Sequence, residues 1–156
     1  MIGNRFRLLN IPRNVYEGMI WHARAERPLE CCGLLAGVIR EDGIGEVRLR
    51  YPLVNAAASP IEFESEPRSH FSADRDIRRQ EMEILAIYHS HPTSEPVPSR
   101  KDRERCWGDG VVNIIVSLAT PTPVVRAWWL SAEEYREAEW IFRDNNDDPI
   151  LFSREP

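Results

Sequence analysis

A chain of 156 residues with 42% hydrophobic content can bury a core of its own, and this length suits a single domain over 1–156. A net charge of -5 gives no basis for general nucleic-acid binding, and there is no run of about 18 apolar residues to cross a membrane as a helix. The opening Met1-Ile2-Gly3-Asn4-Arg5-Phe6-Arg7 lacks the apolar stretch of a secretory signal, so a cytoplasmic location is expected.

Asn14 is a candidate cap for a first helix over 15–25, with Val15, Met19, Ile20 and Ala23 on its inner face; Pro28 stops it. His22 on this helix, and His70 further on, have no partner at ligand spacing and are expected on the surface or a helix face. Pro28-Leu29-Glu30 leads into the apolar run Cys31-Cys32-Gly33-Leu34-Leu35-Ala36-Gly37, which opens a strand over 32–39. A second strand over 47–53 follows a turn at Asp42-Gly43. Glu30 at the strand mouth could serve as a general base, although a solvated charge is the ordinary account of such a position. Cys31, Cys32 and Cys106 are an odd count without Cys-x-x-Cys, which speaks against a disulfide framework or a zinc ribbon. Cys32 reads as a small buried hydrophobe, with a catalytic cysteine as the lesser possibility. Residues 55–67 form a connection with a short strand near Phe63, and Ser72 opens a second helix to about Glu83.

Ile84-Leu85-Ala86-Ile87-Tyr88 then reads as a buried strand that runs into His89-Ser90-His91-Pro92. Residues i and i+2 of a strand share a face, so the two imidazoles can aim at one point. With a nearby aspartate they offer a three-ligand zinc set that leaves a fourth position for water, the mark of a catalytic site, although a lone His-x-His more often binds no metal. Ser90 points the other way and reads as structural. The loop 93–98 lies beside the site and could shape access to it. Ser99-x-x-Asp102 has the form of a capping box for a helix running towards Trp107, which places a carboxylate on a rigid first turn. Arg100-Lys101-Asp102-Arg103-Glu104-Arg105 mixes signs and reads as a solvated helix face. Strands over 111–118 and 124–130 follow; Trp128 and Trp129 face opposite ways on the second, both with structural roles. Ser131-Ala132-Glu133-Glu134 has the form of a second capping box, predicting a last helix to about Arg143, with a loose tail from about 144. The pattern predicts an α/β domain with a curved central mixed β-sheet and helices on both sides.

Taken together, Glu30 in Glu-Cys-Cys-Gly-Leu-Leu-Ala-Gly, the His89-Ser90-His91-Pro92 pair and Pro98-Ser99-x-x-Asp102 resemble the JAMM, or MPN-plus, zinc metallopeptidases, in particular short bacterial JAB-domain members. The resemblance extends over roughly 14–131 and includes Asn55-Ala56-Ala57-Ala58-Ser59-Pro60 and Phe63. It implies a cytidine-deaminase-like fold, with Zn2+ held by His89, His91 and Asp102. It also implies that Glu30 takes the proton of the nucleophilic water and passes it to the leaving amine, while Ser99 donates a hydrogen bond to the developing oxyanion. The implied activity is that of a peptidase or isopeptidase, cutting after the C-terminal Gly-Gly of a ubiquitin-like or sulfur-carrier protein. No motif position departs from the pattern, which argues against the metal-free MPN relatives. The alternative is a non-catalytic MPN interaction module that binds a ubiquitin-like partner. A deaminase reaction is disfavoured, because neither His-x-Glu nor Pro-Cys-x-x-Cys is present.

Overall fold

The computed structural model describes residues 4–106, 110–144 and 149–150. Within them, nine strands form one mixed sheet, from β7 (Tyr135–Glu137) at one edge through β6, β5, β4, β2, β3, β1 and β8 to β9 (Pro149–Ile150) at the other. β2 (Cys32–Ile39) is antiparallel to both β3 (Ile44–Leu53) and β4 (Glu83–His91). β4 is parallel to β5 (Val112–Ser117), which pairs antiparallel with β6 (Val124–Leu130). β1 (Leu8–Pro12) lies parallel to β3 on one side and to β8 (Trp140–Arg143) on the other.

Both faces of this sheet are covered, as alternation along its apolar strands requires. On one face α1 (Arg13–Glu26) packs Val15, Met19 and Ala23 against Leu35, Tyr88 and Ile114. On the other, α2 (Pro67–Arg79) packs Ala73 and Ile77 against Leu34, Ala36 and Ile87. Trp129 joins the first core against Phe6, while Trp128 packs with Ile115 on the opposite side, so both tryptophans are buried. No helix among the described residues is long and apolar enough to cross a membrane.

Several elements differ from the sequence reading. α1 begins at Arg13, with Pro12 rather than Asn14 at its cap position. α2 begins at Pro67, five residues before Ser72, because the Glu66 carboxylate accepts from Arg68 N and Ser69 N. Near Phe63 there is no strand, only a bridge between Asn55 and Ser65. The helix predicted from Ser131 to Arg143 is instead β7 (Tyr135–Glu137) followed by β8. The capping contacts do form, with Ser131 Oγ accepting from Glu134 N at 3.1 Å. Ser131 N also donates to Glu134 O, however, and this closes a turn that folds β7 back onto β6. The aromatic and β-branched Trp140-Ile141-Phe142 then favours pairing with β1 over helix. The tail expected to be loose lies largely outside the described residues; Pro149–Ile150 within it forms β9, paired with β8.

His22, expected on a surface, is buried at 7% exposure. Arg50 donates to the Tyr88 hydroxyl at 3.1 Å, which leaves the tyrosine proton for His22 Nδ1 at 2.7 Å. Burial lowers the His22 pKa and keeps the ring neutral, as an acceptor must be. A Cβ at Gly33 would lie 2.3 Å from the Tyr88 ring that this network fixes. Gly33→Ala is therefore expected to lower stability by about 1–3 kcal/mol through overpacking, read as a reduced thermal midpoint by circular dichroism.

Candidate active site

β4 delivers His89 and His91 to one face of the sheet, with side-chain exposures of 1% and 4%. Asp102 comes from α3 (Arg100–Glu104), which ends before the predicted helix would have reached Trp107, a residue outside the described ones. His89 Nε2 and His91 Nε2 lie 3.1 Å apart. Each is 3.2 Å from one Asp102 carboxylate oxygen. Bonds of about 2.0 Å to a tetrahedral metal separate its ligand atoms by about 3.3 Å. His89 Nε2 faces Asp102 Oδ1 and His91 Nε2 faces Oδ2, so two imidazole nitrogens and one carboxylate converge at spacings that fit zinc. His89, His91 and Asp102 are the group of potential ligands that converges in this way among the described residues.

His91 and Asp102 are held by hydrogen bonds, and His89 by stacking alone, its Nδ1 being buried without a partner. His91 Nδ1 donates to the Glu95 carbonyl at 2.7 Å, which fixes the ring and presents Nε2 to Asp102. Glu95 sits in the proline-rich loop 93–98, fixed by Ser117 Oγ donating to Ser94 O and Trp128 Nε1 donating to Pro96 O. The His89 ring stacks on Phe63, with centroids 4.6 Å apart. Asp102 Oδ2 accepts from Ser99 N while Ser99 Oγ accepts from Asp102 N, so the capping box forms in full. One carboxylate thus serves both as helix cap and as candidate ligand. Burial alone would raise its pKa, but His89, His91 and the Ser99 amide hold it well below the usual carboxylate range. Burial lowers the His91 pKa, yet the bonds to Asp102 and the Glu95 carbonyl outweigh it and the net direction is up.

Glu30 lies just before β2 and is 3% exposed, so it is not the solvated charge that its segment alone favoured. Its Oε2 is buried without a hydrogen-bond partner. Burial pushes its pKa up to about 8, with His91 pulling it down and Asp102 pushing it up. Its backbone is fixed on both sides: the amide donates to Ser59 O and the carbonyl accepts from Asn55 Nδ2. Asn55 also donates to Glu62 O, and its Oδ1 accepts from Ala57 N and Glu64 N. Asn55 therefore ties the main chain of Glu30 to the segment that carries Phe63. Its bond to Ala57 is an Asx turn readable from the sequence, but the long-range bonds that give it a role are not. Ser90 Oγ accepts from Cys31 N, a structural contact. Burial pushes the Cys31 thiol up to about 11 and Cys32 to about 12, so neither offers a thiolate at neutral pH.

Residues 12–131 match the family described as prokaryotic homologs of the JAB domain. The chain belongs to this family. A desampylase from Haloferax volcanii is 33% identical over 134 residues, covering 83% of this chain and 92% of the relative. A CysO-cysteine peptidase from Mycobacterium tuberculosis is 29% identical over 114 residues, covering 73% and 76%. A solution structure of a protein from Desulfitobacterium hafniense superposes with a TM-score of 0.80 at 31% identity, over 89% of this chain and 95% of that one. The JAB fold and the mixed sheet flanked by helices thus agree.

Proposed function

We propose that this JAB-family chain is a zinc metallopeptidase that hydrolyses the amide bond after the C-terminal Gly-Gly of a ubiquitin-like or sulfur-carrier protein. The carrying observation is the convergence of His89, His91 and Asp102 in a buried site that also holds Glu30, whose Oε2 is buried without a hydrogen-bond partner. The names of the desampylase and the CysO-cysteine peptidase support the substrate class.

In this reading His89, His91 and Asp102 would hold the zinc. Zinc bound there supplies a Lewis acid for the scissile carbonyl and brings water acidity towards neutral pH. Glu30 accepts the proton of the attacking water and returns it to the leaving amine, a task suited to a carboxyl whose pKa lies near the working pH. Ser99 Oγ accepts its capping bond, so its own proton remains free for the developing oxyanion.

Ser99→Ala is expected to lower kcat by about 100-fold with zinc content unchanged. It should also cost about 1 kcal/mol of stability through the lost cap, measured by denaturant melts. The reading itself is tested with zinc-loaded protein and a ubiquitin-like substrate extended beyond Gly-Gly. Mass spectrometry should find cleavage after the second glycine, abolished by a chelator. Tight partner binding with zinc in place and no cleavage would make the chain an interaction module instead.

A further inference from the structure

The loop behind His91 has little backbone to hold itself with. Pro92, Pro96 and Pro98 have no N–H to give, so neighbouring side chains must bind its carbonyls. Those of Ser94, Glu95 and Pro96 are taken in turn by Ser117 Oγ at 2.6 Å, His91 Nδ1 at 2.7 Å and Trp128 Nε1 at 2.9 Å. Glu95 O also accepts from Val97 N, which closes a turn at Pro96. The Val97 side chain packs on the cluster of Ile115, Trp128 and Leu130. Trp128, 5% exposed on β6, therefore grips the residue next to the carbonyl that orients a candidate ligand.

The indole is itself clamped by both ends of β7. Tyr135 meets it edge-on, with ring centroids 5.4 Å apart. Glu137 accepts from Arg126 at 2.7 Å and so holds that guanidinium 4.5 Å over the indole ring. Arg103, next to Asp102 on α3, lies 5.7 Å over the ring of Tyr135. One tryptophan is thus linked to the loop behind His91 and, through Tyr135, to the helix that carries Asp102. We propose that Trp128 is a positioning residue for the metal centre, its indole N–H fixing the Glu95 carbonyl and through it the ring of His91. This rests on the metal site of the peptidase reading above. Packing alone would be served by any flat ring that fills the space. The N–H on Pro96 is the part of the side chain that bears on the ligand, and without it a carbonyl of the loop loses its partner.

The test measures zinc affinity of the full chain by competition with a chelating dye. Trp128→Phe keeps a ring for Tyr135 and Arg126 and removes the donor. It should weaken zinc about tenfold, the lower end of what the loss of a group behind a metal ligand costs. By NMR of zinc-loaded protein, the His91 Nδ1 proton should be a slowly exchanging downfield signal in wild type, and should be lost to exchange with water in the variant. Trp129→Phe is the matched control, one residue along and 3% exposed against Phe6 in the other core. It should lower the thermal midpoint and keep wild-type zinc affinity. Wild-type affinity with an unchanged His91 proton in Trp128→Phe, or equal affinity losses in the two variants, would overturn the positioning role and leave the peptidase reading standing. Both readouts are independent of cleavage, so a zinc-binding chain that cuts no Gly-Gly substrate would overturn the peptidase reading alone. A wild type that binds no zinc would overturn both.

Discussion

Glu30→Gln is expected to lower kcat by about 1,000-fold while raising the thermal midpoint of the zinc-free protein, with the zinc content of loaded protein unchanged. The two effects share one cause. In the unfolded chain Glu30 ionises near its ordinary value of 4.5, whereas burial in the fold, above all, pushes it up to about 8. Across that interval the folded state holds the proton and the unfolded state does not, so stability falls as pH rises from about 4.5 to about 8. Glutamine keeps the shape and does not titrate. It should remove this slope and return on the order of 3 kcal/mol at pH 7. Zinc loading should shrink the gain, because a nearby cation favours the ionised carboxylate. Thermal melts of both proteins at pH 5, 7 and 8.5, with and without zinc, check it. Wild-type turnover by Glu30→Gln would remove the base role, and parallel pH slopes in the zinc-free proteins would remove the buried proton.

Glu30 also shows which parts of the site the sequence could carry. His89 and His91 were legible because strand alternation fixes their shared face, and Asp102 because a three-residue cap spacing fixes it relative to Ser99. These relations span a few residues. The burial of Glu30 depends on contacts from 25 and more residues away, through Asn55 and Ser59, and no local pattern records it. The fold divides in the same way. β2 and β6 have the predicted bounds, and residues 32–37 of β2 and 127–130 of β6 are buried on both faces. β1, β7 and β8 are short and take their identity from the edges they cover. Ser131-Ala132-Glu133-Glu134 supplies the same local hydrogen bonds to a turn as to a helix, and the open edge of β6 decides between them. His22 was misplaced for a similar reason: its partner Tyr88 lies 66 positions further along the chain, and Arg50, which orients the Tyr88 hydroxyl, lies 28 positions further.

Asp102→Ala is expected to reduce bound zinc from about one per chain to a trace after loading and desalting, with affinity weakened more than 100-fold. Because Asp102 also caps α3, this variant alone confounds metal loss with a frayed helix. Two others separate them. Asp102→Asn keeps an oxygen to accept from Ser99 N but loses the charge, and should retain the cap while still weakening zinc. Ser99→Ala removes the hydroxyl half of the cap and leaves the carboxylate, and should retain zinc. The pH dependence of binding gives a further check. Zinc must displace the proton that Asp102 helps His91 to hold, and that proton leaves only above the ordinary histidine range. Wild-type affinity should therefore rise with pH through and beyond about 6.5. Isothermal titration at stepped pH, with elemental analysis of the three variants, would measure all of this. Full zinc in Asp102→Ala would leave Asp102 as a helix cap alone and return the chain to the reading of a binding module.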